Sequence, residues 1–150
     1  TERKILLDSK TCLSLVRDIF NTNHFVQLCG IVIDEVGCGT ARLHMPIVAE
    51  KHTNLSGNVH GGALSTLANT AVGVACCAAG CWVATQSITT NFIKNITAGH
   101  TATCEARIKH CGRTTVTVVA EIFDDEHRLM CETIATMFIK GHSDDIPSEW

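Results

Sequence analysis

The run Asn54-Leu55-Ser56-Gly57-Asn58-Val59-His60-Gly61-Gly62 leads directly into a long stretch without charge, Ala63 to Gly80. Paired glycines at the start of a helix let another molecule approach the backbone closely. The first helical turn then offers unpaired N–H groups and the positive end of the dipole. Such an end holds an anion or polarises a carbonyl oxygen. The helix behind it carries no acid or base. Its mid-helix amide, Asn69, is the group able to orient a water through both its hydrogens and its oxygen.

These residues need a scaffold. The segment 63–84 has the length of a membrane span, but Ser65, Thr66, Asn69 and Thr70 polarise its first half and no basic flank orients it. Small residues dominate, so it reads as a helix apolar all round and buried against a sheet. Before it, Thr11 to Phe20 reads as an amphipathic helix with Cys12, Leu15, Val16 and Ile19 on one face. Phe25 to Val36 reads as a strand, Gly37-Cys38-Gly39 as a turn, and Thr40 to Val48 as a second strand with Ala41, Leu43, Met45 and Ile47 inward. The stretch 49–59 is polar and loop-like. Four strands follow as an antiparallel meander: Cys81 to Lys94, His100 to Cys111, Thr114 to Phe123 and Leu129 to Lys140. The expected layout is α+β, a curved antiparallel sheet around one long helix. It divides into a helical segment (1–24), the sheet-and-helix domain (25–140) and a polar tail (141–150) expected to fray.

Composition narrows the function. Hydrophobic residues make up 45% and charged residues 18% of 150 positions, which suits one ordered domain with apolar surface left for another subunit. The net charge of −3, with no basic cluster, disfavours a nucleic-acid partner. The start of the chain carries no leader pattern. Nine cysteines in no metal-like spacing read as reduced, small hydrophobes in a cytoplasmic protein, with no metal site. The remaining histidines, His52 among them, are expected at the surface.

The set Asn54…His60-Gly61-Gly62, Leu64…Leu67-Ala68, Thr85…Asn91-Phe92 and Gly112-Arg113 resembles the hotdog-fold acyl-CoA thioesterases of the phenylacetate-degradation (PaaI-like) type, over roughly residues 25–140. The resemblance implies hydrolysis of an acyl-CoA thioester without a cofactor, coenzyme A being part of the substrate. It implies that Gly61 donates its N–H to the thioester oxygen, that His60 shapes the turn, and that Asn54 positions water or thioester. Thr85 would assist from the following strand. Gly62, Lys94 and Arg113 would contact the coenzyme A portion. It further implies a homodimer, paired into a homotetramer, whose site draws on both chains.

One position departs from the pattern. Nine residues after His60 the family carries a carboxylate, and this chain has Asn69. Asparagine is nearly isosteric with aspartate but takes up no proton at neutral pH. Three explanations are open: a substitution that traps substrate, an enzyme using other groups, or a non-catalytic acyl-CoA binding module. A dehydratase of the same fold would want an acid–base pair that this helix lacks. Each residue also has a plainer role. His60 could cap a turn, Asn69 could be a satisfied core amide, Thr85 a strand former and Asn54 an Asx turn. Lys94, Lys109 and Arg113 could be solvated charges. The acyl pocket is expected to depend on residues such as Leu55, Val59, Leu64, Val72 and Val83.

Overall fold

The computed structural model describes residues 7–150. Asp8 caps the first helix, α1 (Ser9–Phe20), accepting the Thr11 N–H at 2.7 Å. Of its expected inward face, Cys12 and Val16 are buried, while Ile19 stands partly in the open. A second helix, α2 (His24–Cys29), occupies the beginning of what reads as a strand. The apolar residues of Phe25 to Val36 suit either state. Local caps decide: Asn23 Oδ1 accepts from Phe25 and Val26, and Gly30 ends the helix at φ 74. The strand therefore starts later, as β1 (Val32–Gly37).

A tight turn leads to β2 (Thr40–Pro46), whose Ala41, Leu43 and Met45 are buried in alternation. The polar stretch beyond it is more ordered than a plain loop. It holds a one-turn helix, α3 (Ala49–His52), and isolated bridges Thr53–Val59 and Asn58–Thr97. His52 is buried, against expectation: its Nδ1 accepts from Val48 N–H and its Nε2 bonds the Cys29 carbonyl, so both ring nitrogens are satisfied.

The long helix α4 (Gly61–Ala78) carries Leu64, Leu67, Ala71, Val72, Val74 and Ala75 into the core. Burying each leucine is worth roughly 2 kcal/mol. Contrary to the reading of a helix buried all round, a stripe through Gly62, Thr66, Asn69 and Gly73 stays exposed or half-exposed. Length and apolarity alone would let α4 cross a membrane, but 56% of it is buried inside the fold.

The remaining strands are β3 (Cys81–Phe92), β4 (Thr101–Cys111), β5 (Thr115–Phe123) and β6 (Leu129–His142). The sheet order is β1-β2-β4-β5-β6-β3, antiparallel throughout the named pairs. Only β4-β5-β6 is a meander. The expected β3–β4 pairing is absent, because β3 pairs with β6 and lies at the sheet edge.

The tail does not fray. Ser143 N–H donates to the Gly80 carbonyl, Ile146 is 1% exposed, and Trp150 Nε1 donates to the Ala78 carbonyl at 2.6 Å. These residues close the C-terminal end of α4. Gly80 accommodates them at φ 76, where a Cβ would stand 2.3 Å from the Ile146 carbonyl oxygen.

Candidate active site

The start of α4 is built by His60. Its backbone is extended, and its Nδ1 accepts the Gly62 N–H at 2.9 Å. A ring nitrogen that accepts carries no proton, so in this geometry the imidazole is neutral with its hydrogen on Nε2. The N–H groups of Ala63 and Leu64 both turn back to the His60 carbonyl. Gly61 N–H has no acceptor among the described residues. The turn is fixed from outside as well: His60 N–H donates to the His52 carbonyl at 2.6 Å and Val59 N–H to the Ile96 carbonyl at 2.7 Å. One free donor therefore sits at the positive end of an 18-residue helix, on a rigid mount.

Both glycines lie against rings. A Cβ on Gly61 would stand 3.1 Å from Phe92 Cζ, and one on Gly62 would stand 3.0 Å from His60 Nδ1. The absence of side chains is what lets the Phe92 ring lie beside the free N–H.

Asn69 lies eight residues further along α4, about 12 Å at 1.5 Å per residue. It is exposed on the open stripe, and Thr85 Oγ1 donates to its Oδ1 at 2.7 Å. The plain reading of a core amide does not hold for Asn69. Its amide N–H groups stay free to donate, and the Thr85 hydroxyl oxygen stays free to accept. The pair can hold a water between them, but neither member takes its proton.

A slip in the strand alignment makes this pairing compatible with the Phe92–Gly61 contact. Thr85 pairs with Met137, but Ser87 pairs with Thr136, leaving Gln86 unmatched. Val83 and Thr85 point to the helix before the bulge; Ile88, Thr90 and Phe92 do so after it. Odd positions give way to even ones.

The other expected residues are distributed as follows. Asn54 forms an Asx turn, its Oδ1 accepting from Ser56 and Asn58, so its oxygen serves its own loop. Lys94 is exposed just beyond Phe92, at the Gly61 end of the sheet. Arg113 is exposed in the β4–β5 turn, beside Thr115, which pairs with Phe138; Phe138 in turn pairs with Ala84. That is the opposite end of the sheet, so one chain does not bring Arg113 to Gly61.

A cavity of about 260 Å³ adjoins Asn69 and Thr85 and continues along Gly73, Cys77, Val83 and Met137 to Phe20. Of the five residues expected to shape an acyl pocket, only Val83 lines it. Val59, Leu64 and Val72 are core residues, and Leu55 is fully exposed in its loop. Burial pushes the thiols of Cys77 and Cys81 up to about 11 and that of Cys76 up to about 12, so they stay protonated at neutral pH. Two larger hollows, about 370 and 660 Å³, run along β1, β2 and β4 among charged residues and touch neither Gly61 nor Asn69. Phe92 was among the residues that carried the resemblance, without a place at the site; Phe20 and Gly73 were not singled out for it, and a glycine inside a helix without a turn to make was the available signal.

Comparison with known proteins gives a consistent picture. The model of the thioesterase superfamily matches residues 56–131. The acyl-coenzyme A thioesterase PaaI of Escherichia coli K12 is 31% identical over 124 residues, covering 83% of this chain and 85% of that protein. The structure of the E. coli PaaI protein from the phenylacetic acid degradation operon superposes with a TM-score of 0.83 at 24% identity, over 88% of this chain and 95% of that one. A hypothetical thioesterase from Streptococcus pneumoniae TIGR4, solved with coenzyme A, superposes with a TM-score of 0.77 at 26% identity, over 83% and 99% of the two chains. The fold is the hotdog fold, as the resemblance implied.

Proposed function

The chain belongs to the thioesterase superfamily, and from that membership we propose that it hydrolyses acyl-CoA thioesters to coenzyme A and a carboxylate. The observation that carries this reading is the unpaired Gly61 N–H at the start of α4, with the adjacent amide already held by His60. A thioester oxygen accepting that N–H gains charge as water adds to the carbonyl carbon, and the helix end stabilises the charge. The carbon–sulfur bond then breaks, and the departing sulfur takes the proton that the water gives up. The water is oriented by the Asn69 amide and the Thr85 hydroxyl. Lys94 and Arg113 supply cations for the phosphates of coenzyme A.

Gly61 and Asn69 stand too far apart along one helix for a single small acyl centre to touch both. The reading therefore uses two copies, the Gly61 of one protomer working with the Asn69 of its partner. The exposed edge of β3 supports an antiparallel pairing that would also carry the partner's Arg113 toward the Gly61 end.

A second reading, a binding module that holds acyl-CoA without cleaving it, is favoured by one observation. The cavity beside Asn69 has no carboxylate in its lining, and Asn69 itself accepts no proton. Thiol release from a panel of aryl- and fatty-acyl-CoAs, measured for this chain and for Asn69→Asp, separates the two. The hydrolase reading expects slow release raised about 10²- to 10⁴-fold in the variant, the usual worth of a general base. Similar rates in both would remove Asn69 from its assigned role. No release from either, with acyl-CoA bound, would establish the binding module.

A further inference from the structure

Gly73 has no backbone reason to be glycine. It lies inside α4 without positive φ, and a Cβ built on it meets no atom within 4 Å. Glycine in a helix interior is destabilising relative to alanine. Nothing in this chain packs where its side chain would be.

Two cavities meet at this position. One, about 260 Å³, leads past Cys77 and Val83 to Met137. The other, about 220 Å³, leads toward Phe25 and Thr66. Phe20, Asn69 and Gly73 border both. Phe20 comes from the end of α1, so a helix outside the sheet roofs the path. The first cavity falls below the roughly 300–1,000 Å³ typical of sites for whole drug-sized ligands. It suits the acyl part of a thioester rather than the whole molecule. Its far walls are apolar, and Met137 is unbranched and adapts to a flexible guest.

On the reading that Asn69 and Thr85 face the thioester, we infer that Gly73 is a specificity-determining residue. Its missing side chain keeps open the slot through which a medium-length aliphatic acyl group passes under Phe20 toward Met137. A slot bordered by Phe20 and by a helix position without a side chain admits a flexible chain more readily than a bulky one.

The test is calorimetric titration of the full chain, of Gly73→Leu and of Gly73→Ala with acetyl-CoA and octanoyl-CoA, alongside sedimentation of each protein. The wild type binds octanoyl-CoA more tightly than acetyl-CoA. Gly73→Leu loses roughly tenfold in octanoyl-CoA affinity, as expected when about two methylenes are denied burial, and keeps its acetyl-CoA affinity. Gly73→Ala, which suits a helix, loses about threefold on octanoyl-CoA alone, so the inference stays testable if the leucine variant does not fold. Equal changes for both ligands, or none, overturn it. So does a changed sedimentation coefficient with both affinities lost, which would make Gly73 a subunit-packing residue. A wild type that binds neither ester overturns the thioesterase reading itself.

Discussion

His60 shows how one side chain selects which backbone donor a helix end leaves free. By accepting the Gly62 N–H, it removes one of the two glycine donors from play and leaves Gly61 as the single outward one. Replacing it with alanine frees the Gly62 N–H and removes a helix cap. The expected cost is about 1 kcal/mol of stability. Urea denaturation of His60→Ala checks this, and an unchanged midpoint would show that the cap contributes nothing. The capping role was legible in the sequence as the plainer alternative for His60, and so was the Asx turn for Asn54. What the sequence did not carry was their combination with Phe92, because that contact depends on where a distant strand ends.

At the scale of elements, sequence and structure part where local signals outweigh composition. The alternation in β2 was legible from its unbroken period of two, and the central helix from the length of its uncharged, small-residue run. Helix α2 was not, because Phe25, Val26 and Leu28 fit a strand equally well, and the deciding cues are single residues at its ends, Asn23 and Gly30. The tail was misread for the opposite reason. It is mostly polar, and its apolar anchorage comes from two residues, Ile146 and Trp150. Removing residues 143–150 should cost about 2–3 kcal/mol, chiefly the burial of Ile146. Thermal or urea unfolding of the shortened chain checks this. A stability within 0.5 kcal/mol, the ordinary range of surface changes, would show that the tail merely rests on α4.

For the molecule as a whole, the separation of the Gly61 donor from the Asn69–Thr85 pair is the governing fact. Two features point outward together: the free edge of the twelve-residue strand β3 and the open stripe on α4. An exposed edge of this length invites strand addition. Sedimentation velocity at micromolar concentration should therefore find a dimer or a multiple of it. A monomer would contradict the two-chain site. Co-assembly of a Gly61-defective with an Asn69-defective chain is the natural complement, since one of the two sites in such a pair is whole.

Gln86 is matched by no residue of β6, yet it decides which neighbours share a side with the helix. The consequence is that the stretch from Val83 to Ile88 is fixed in number as well as in kind. A lost or gained residue there would leave each amino acid chemically intact and still turn either Thr85 or Phe92 toward water. Variation at this strand is therefore open to exchange of letters and closed to change of count.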